Sequence, residues 1–414
     1  MRAFPGRWLP WVGAVLLGAL GLGVWWASGA RPAARGEGPI VIGAIHALSG
    51  PSAALEAPLV AATQVAVDEI NEAGGLLGRR VELRVEDSRG DPRTAAAAAE
   101  RLIADSHAVA LFGCGSAVCR LAVKPVVETH RHLLFYAPPS DGMEQSAHIV
   151  YTGATPNQQV LPAVDWAMHR FGRRVYVLGV DGVYQRRVGA VLRDYLALAG
   201  GQLLGERLIA PAAPEVGELL ADLRERRPDL VVSLVPGAAN RALFDGLVAA
   251  GMGHLPVLSL GAAEPEMTAF GGGRLDRHFT AWSYLQSLSG AANEKFLHRL
   301  RARQGEGAAA GDTAMAAYVA VQLWAAAVRE VRSPRTDAVN ANVPLQTVVA
   351  PLGFAAVDSQ SRHLWRQLRI AQVQPDGQLA EVLLLPRHIR PQPWPAFRST
   401  AQWAARVGGG EASP

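Results

Sequence analysis

Short β-branched apolar runs alternate with longer amphipathic stretches from residue 39 onward, a pattern typical of βαβ units with parallel strands. In the first series, strands are predicted at 39–48, 81–89, 108–113 and 133–136, with helices at 57–75, closed by a Gly-Gly stop, and 94–106. Residues 149–159 are interpreted as a crossover to a second series. Its strands are predicted at 174–180, 201–209, 229–235 and 256–260, with helices beginning near Val183, Glu215 and Ala239.

The last third of the chain does not repeat this alternation. After 279–287 come two helical stretches, 293–303 and 312–331, and then a strand-rich tail through 353–357, 365–373 and 380–385. Two serial α/β units that share late segments indicate two lobes with several crossings between them. The alternative is one large doubly wound enzyme domain, which leaves the repeated strand-helix series unexplained.

The amino terminus indicates export. Arg2 and Arg7 precede an uncharged segment, residues 8–30, with tryptophans near both ends. It is long enough for a retained membrane anchor, and Ser28-Gly29-Ala30 suits a signal-peptide cleavage site, so both alternatives stay open. No cysteine lies near the segment, which excludes a lipoprotein anchor. We therefore expect a periplasmic protein, anchored to the inner membrane by residues 8–30 if they are uncleaved, with residues 31–38 as a linker.

Composition excludes several classes of partner. The 414 residues are 50% hydrophobic and 18% charged, enough for two sizeable cores. The net charge is only +4, and no basic run forms a nucleic-acid stripe. The two cysteines rule out a disulfide framework and any C-x2-C zinc pattern. We expect no nucleic acid, metal or cofactor.

The stretch LFGCGSAVCR, residues 111–120, reads as a buried strand, a turn and a helix, and LLFY then reads as a strand that ends at Tyr136. This layout places backbone N–H groups at the carboxyl end of a parallel sheet, where open α/β sheets bind ligands. Ser116 is either a helix N-cap or a hydroxyl for a ligand.

The frame GC-x5-R-x4-P-V-x-E at 113–128, followed by L-L-x-Y-x4-D-G at 133–142, resembles periplasmic amide- and urea-binding proteins, as do LSGPSAALE, VDGVYQRR and the late IRPQPW. Those proteins are ligand-capturing subunits of ABC importers in the branched-chain amino-acid binding class. The resemblance covers nearly the whole chain beyond residue 38. It implies the type I periplasmic binding fold, an α/β architecture of two Rossmann-like lobes with a three-crossover hinge. Lobe 1 would comprise 39–154 and 284–345, lobe 2 would comprise 155–283 and 346–388, and 389–414 would be a tail.

The resemblance also implies a set of ligand-binding residues in the cleft between the lobes. They are Ser49, Ser116, Tyr136, Tyr184, Glu264 and Trp282. A structural role competes with ligand contact for several of them: Ser116 could be an N-cap, and Tyr136 could only pack at the end of its strand. Glu264 either binds a ligand amine or stabilises a helix amino terminus, and the second is preferred. Trp282 suits hinge packing better than a pocket wall.

Several positions depart from the family pattern. Gly115 stands where an aromatic residue is expected, and Ala117 where a serine is expected. Asp141 follows Ser140 where the family has Tyr-Glu, and Gly182 replaces a tyrosine. Loss of aromatic walls and polar partners predicts a wider site than urea or acetamide needs.

Catalysis is the rival hypothesis. Cys114 lies near a helix amino terminus, with His130 and His132 downstream, but nothing is placed to orient a base and no hydrolase motif is present. We therefore expect no enzyme. A Cys114–Cys119 disulfide is geometrically awkward but possible, and a small buried Cys114 is the preferred interpretation.

These observations predict an exported solute-binding protein of an ABC importer. It would capture a small amide-, urea- or amino-acid-like ligand by hinge closure and present it to an ABC permease in the inner membrane. The alternative is a membrane-tethered ligand sensor or accessory receptor with the same fold and an altered pocket.

Overall fold

Two separate β-sheets form the framework of the computed structural model, which describes residues 38–210, 216–237, 239–270, 274–275 and 277–408. The strands are β1 (Ile40–His46), β2 (Val81–Asp87), β3 (Leu111–Gly113), β4 (Leu134–Tyr136), β5 (Ile149–Tyr151), β6 (Arg174–Val180), β7 (Gln202–Ile209), β8 (Leu230–Ser233), β9 (Val257–Ser259), β10 (His278–Trp282), β11 (Thr347–Ala350), β12 (Gly353–Ala356), β13 (Arg369–Val373) and β14 (Leu379–Leu384). The helices are α1 (Ala53–Glu72), α2 (Pro92–Ala104), α3 (Ala117–Thr129), α4 (Val160–Phe171), α5 (Val183–Leu198), α6 (Gly217–Arg226), α7 (Ala239–Ala249), α8 (Glu264–Ala269), α9 (Ala291–Gln304), α10 (Asp312–Val331), α11 (Thr336–Asn342) and α12 (Thr400–Gly408), with a 3-10 turn at Val343–Leu345. All of them belong to the compact unit that begins at Ile40.

The first sheet has the strand order β2-β1-β3-β4-β5, and all its pairs are parallel. The second has the order β14-β13-β10-β9-β8-β6-β7, in which β13 and β14 run antiparallel to their neighbours. A small antiparallel hairpin, β11-β12, stands apart from both. The chain leaves the first sheet after β5 and enters the second at β6, as the predicted pair of α/β series requires.

Local sequence explains why these elements form where they do. Helix α2 begins with Asp91 as N-cap, whose carboxylate accepts from the Thr94 N–H at 2.7 Å, and with Pro92 in the first turn. Helix α1 is followed by the predicted Gly-Gly stop. A Cβ at Gly75 would lie 2.0 Å from the Arg79 carbonyl oxygen, and its φ of +79° also favours glycine.

The hydrophobic cores join distant parts of the chain. One core packs α1 and α10 against the first sheet and includes Phe112, Phe135 and Trp324. Two further cores cover the two faces of the second sheet. Because α9 and α10 follow β10 but pack beside α1, the chain returns to the first sheet before it re-enters the second at β13. The exact lobe boundaries stay a prediction, and the β11-β12 hairpin contributes Ala350, Leu352 and Ala355 to the first core.

Two predictions of local structure need correction. Residues 149–151, interpreted as crossover, form strand β5 at the edge of the first sheet. Helix α1 begins at Ala53 and therefore includes Leu55 and Glu56, which the predicted start at residue 57 left outside. The helix continues through Pro58, which lies beyond its first turn and has no N–H for an i→i−4 hydrogen bond, so this proline does not mark the helix start.

The predicted signal peptide or anchor at residues 8–30 lies outside the described residues. Within the part of the chain that the structure describes, none of the helices has the length and apolar character needed to span a membrane.

Candidate functional site

The carboxyl ends of β4 in the first sheet and β6 in the second are linked through side chains that follow these strands. Asp141 lies in the loop after β4, and Arg187 lies on α5, the helix that follows β6. The Arg187 guanidinium donates to Asp141 Oδ2 at 2.9 Å. This ion pair links one α/β series to the other at the edge where open sheets bind ligands.

Behind this contact lies a buried charged cluster, which we define as Arg120, Asp141 and Glu144. The Arg120 guanidinium donates to Asp141 Oδ1 at 2.7 Å and to Glu144 Oε1 at 3.0 Å. Arg120 and Asp141 are both 0% exposed. The hydroxyl of Tyr151 donates to Glu144 at 2.7 Å, and Lys124 lies 3.9 Å from the same carboxylate. Burial opposes ionisation of Glu144, but these partners together hold its pKa below its usual range.

Tyr136 and Tyr184 are brought together beside this cluster. Tyr136 ends β4, is 1% exposed, and lies under the Arg120 guanidinium, 4.8 Å from ring centroid to Cζ. Tyr184 lies one helical turn before Arg187 on α5. Burial raises the pKa of the Tyr184 hydroxyl, and Asp141 and Tyr136 act in the same direction.

Ser49 and Ser116 have their hydroxyls engaged within the protein. The exposed Ser49 hydroxyl donates to Asp87 Oδ2 at 2.7 Å, and this bond, with the backbone N–H groups of Leu48 and Arg89, lowers the pKa of Asp87 to about 2. Ser116 is the N-cap of α3, where its Oγ accepts from the Cys119 N–H at 3.3 Å. The N-cap alternative is therefore realised for Ser116. A ligand role for either serine stays a prediction.

Glu264 and Trp282 lie in the interior near the segment that follows β10. Glu264 is 0% exposed, and its Oε1 accepts from the Gln286 N–H at 2.8 Å, while Oε2 has no hydrogen-bond partner among the described residues. Burial, reinforced by the nearby Asp312 and Glu266, raises the pKa of Glu264 to about 8. The Trp282 indole is buried in the second sheet's core and donates to the Ala262 carbonyl at 3.1 Å, as expected for packing.

Glu56, which sequence reasoning missed, lies beside Gly115 at the candidate site. Its carboxylate, carried by the first turn of α1, lies between the ends of β1 and β3 and accepts from backbone N–H groups of both. The Glu56 side chain fills the space beside Gly115, so at this wall the absent aromatic residue does not leave an opening. The available signal was a lone carboxylate within the apolar run AALEAPLV.

Cys114 and Cys119 form a disulfide, with Cα atoms 5.3 Å apart. The preferred interpretation of Cys114 as an unbonded residue was therefore wrong, although Cys114 is buried as expected. The geometry works because Cys114 adopts a left-handed φ of +63° and α3 begins only three residues later, which folds Cys119 back over the turn. A bonded pair also removes the thiolate that the hydrolase hypothesis needed.

We expect the double variant Cys114→Ser, Cys119→Ser to lower the free energy of unfolding by about 2 kcal/mol, because closing so short a loop restricts the unfolded chain only modestly. Urea denaturation of the oxidised protein, with and without a reductant, measures the difference. In the double variant the reductant should change nothing. A reductant that leaves the wild type equally stable would contradict the prediction.

Among the surface cavities lined by described residues are two whose linings include no predicted ligand-binding residue. The first, about 540 Å³, lies at the end of β2 and is lined by Asp87, Arg89 and Arg101 among others. The second, about 740 Å³, lies between residues 285–289, the β11-β12 hairpin and β13-β14. Tyr136, Tyr184 and Asp141 line neither of these openings.

Comparisons with known proteins give the following likenesses. A family model described as a periplasmic binding protein domain matches residues 40–400. A Leu/Ile/Val-binding protein of Rhizobium johnstonii is 26% identical over 199 residues, which cover 46% of this chain and 53% of that protein, so the match spans about half of that relative. The Leu/Ile/Val-binding protein homolog 3 of Brucella melitensis is 23% identical over 334 residues, which cover 76% of this chain and 87% of that protein.

Among solved structures, the solute-binding protein of an ABC transporter from Rhodopseudomonas palustris BisB5, in complex with 3,4-dihydroxybenzoic acid, matches with a TM-score of 0.76. Its sequence is 19% identical, and the match covers 84% of this chain and 98% of that one. At this identity the likeness concerns the fold alone.

Proposed function

Because the chain belongs to the periplasmic binding protein domain family, which confirms the predicted type I α/β fold, we propose that it captures a small solute between its two sheets and delivers it to an ABC importer. The family is one of binding proteins, in agreement with the expectation that the chain is not an enzyme. For the solute we propose a small amide-, urea- or amino-acid-like molecule.

One observation carries this proposal. The loop after β4 and the helix after β6 contact each other through Asp141 and Arg187, with Tyr136 and Tyr184 beside them. The carboxyl ends of two parallel sheets therefore face one another across this contact, which is where ligands bind in open α/β sheets. Aromatic rings with polar tips beside fixed charges suit a small polar solute. Movement about the segments between the sheets would open this boundary and close it on the solute.

Location and partner follow from the same proposal. A solute-binding protein of an importer works outside the cytoplasm, so we propose a periplasmic protein that presents its closed form to an inner-membrane permease. The alternative of a tethered sensor depends on residues 8–30, which lie outside the described residues. Amino-terminal sequencing of protein from its native host, combined with carbonate extraction, separates the two: a soluble product that begins at Arg31 rules out the anchor.

Calorimetry tests the capture of a solute. Wild-type protein is titrated with urea, acetamide, leucine and benzoate to find the solute that binds. For that solute we expect Tyr184→Ala to reduce the binding free energy by about 1–3 kcal/mol, since it removes an aromatic wall with a polar tip. Tyr195→Ala is the matched control, because Tyr195 lies on the same helix but packs against Phe397, with ring centroids 6.4 Å apart.

Tyr136→Phe tests the hydroxyl of the other ring while keeping its packing against Tyr151. Equal affinities of wild type and Tyr184→Ala would contradict the placement of the solute beside Tyr184. A wild-type protein that binds none of the four solutes would contradict the proposed ligand class.

A further inference from the structure

The carboxylate of Glu56 is held at the carboxyl ends of β1 and β3 by three donors. Its Oε2 accepts from the Ala47 N–H at 3.0 Å and from the Gly115 N–H at 3.2 Å, and it lies 3.0 Å from His46 Nδ1. Since a carboxylate can only accept, the His46 ring donates from Nδ1. Glu56 and His46 are 6% and 1% exposed. A single oxygen thus receives donors from the ends of two neighbouring strands and from one side chain.

The space around this carboxylate is made by the absence of a side chain at residue 115. A Cβ at Gly115 would lie 2.1 Å from Glu56 Cδ and 2.4 Å from Oε1, so a larger residue there requires the Glu56 carboxylate to leave its position. Gly115 has no left-handed φ, so room rather than backbone conformation requires glycine there. Glu56 and Gly115 are therefore a matched pair: the missing side chain of one creates the position that the other fills.

Without Glu56, these donors would form an anion site. Backbone N–H groups at strand ends and before a helix amino terminus bind carboxylates and phosphates, and Gly115 immediately precedes Ser116, the N-cap of α3. The ligands named for the relatives, which are branched-chain amino acids and a hydroxylated benzoic acid, all carry a carboxylate. In this chain a protein carboxylate already occupies donors of that kind.

We propose that Glu56 is a built-in occupant of this anion position and determines specificity: the solute presents an uncharged or cationic group, such as a carboxamide, a urea or an amine, where a carboxylate would otherwise bind. The inference rests on the proposed solute-binding function and narrows its ligand class. A solute carboxylate would find the Ala47 and Gly115 donors taken and would face the like charge of Glu56. An amide offers N–H donors to Glu56 instead.

Chemical rescue tests the occupancy. Thermal unfolding of Glu56→Ala is followed in acetate, in acetamide and in chloride of equal ionic strength. We expect acetate to raise the Tm by several degrees in a saturable manner and acetamide to have no such effect, because only the anion restores the lost acceptor. If Glu56→Ala shows no folded state in chloride, recovery of a cooperative unfolding transition in acetate also counts as rescue by the anion. Glu72→Ala, which removes an exposed carboxylate paired with Arg299 on the same helix, is the control that acetate should not rescue.

A double-mutant comparison tests the matched pair. Gly115→Ala should lower the Tm of the wild type, whereas in the Glu56→Ala background the same substitution should cost much less, since the clashing atoms are gone. An identical Tm of Glu56→Ala in acetate and in chloride overturns the proposal, and so does a Gly115→Ala penalty that is equal in both backgrounds.

Specificity is tested on the wild type with paired probes of one skeleton, benzoate against benzamide and leucine against leucinamide. We expect the amide of a pair to bind at least tenfold more tightly, and a preference for the carboxylate overturns the proposal. A wild type that binds neither pair, together with acetate rescue of Glu56→Ala, leaves the occupancy standing. In that case it is the proposed solute-binding function that fails for these ligand classes.

Discussion

Replacing Arg120 with methionine should lower the free energy of unfolding by about 3–5 kcal/mol, the typical cost of removing one partner from a buried ion pair. Arg120 is 0% exposed and compensates both Asp141 and Glu144. Methionine keeps much of the volume and the contact with the Tyr136 ring. The loss of unfolding free energy therefore measures the cost of leaving the two carboxylates without their main partner. Urea denaturation measures the change.

Arg335→Met is the matched control. Arg335 pairs with Asp337 at the surface, where the two side chains are 76% and 68% exposed, so its removal should cost less than about 1 kcal/mol. Adding Asp141→Asn and Glu144→Gln to Arg120→Met should recover part of the stability, because the stranded charges are then gone. A loss from Arg120→Met as small as that of the control would mean that water compensates the two carboxylates.

The second large effect is the pH dependence that Glu264 imposes on stability. Its pKa is raised by burial to about 8 in the folded protein, against an ordinary value of 4.5. The folded state therefore keeps a proton that the unfolded state releases, and the unfolding free energy falls as the pH rises between these two values. Glu264→Gln cannot ionise and keeps an acceptor for the Gln286 N–H. We expect the variant to exceed the wild type in stability by on the order of a few kcal/mol at about pH 9.

Urea denaturation between about pH 7 and pH 9 is the informative measurement, since buried histidines titrate well below this window. Burial lowers the pKa of His278 to about 3 and that of His363 to about 4. Glu294→Gln is the control, because Glu294 is an exposed glutamate in the first turn of α9. Wild-type and Glu264→Gln profiles that run parallel across the window would show that Glu264 is ionised in the folded state.

The sequence allowed most of the fold to be predicted because its strands carry their own signal. β1 and β8 are continuous apolar runs, as strands covered on both faces must be, and the Gly-Gly after α1 marks a real stop. Strand β5 was missed because only three residues pair, and their partner β4 determines their conformation. Pairing of this kind is invisible to a local pattern.

The site was harder to predict for the same reason. Tyr136 and Tyr184 came from the family resemblance and stay predictions, whereas the contact between Asp141 and Arg187 spans 46 positions of sequence. Glu56 lies 59 positions from Gly115, and no pattern in either segment predicts their contact. Ser116 shows the converse: its N-cap role is local, and the sequence alone already contained it.

The sharing of Asp141 between two arginines affects how readily the two sheets can separate. Arg120 and Arg187 hold separate oxygens of one carboxylate, and Arg187 alone comes from the second α/β series, with a side chain that is 11% exposed. If the two sheets separate, Asp141 keeps Arg120 as its countercharge, and it is the arginine at the rim that exchanges its bond for water. Opening therefore breaks the Arg187 pair and keeps the Arg120 pair, and because the pair that breaks is largely buried, added salt should change the rate of opening less than it would for an exposed ion pair.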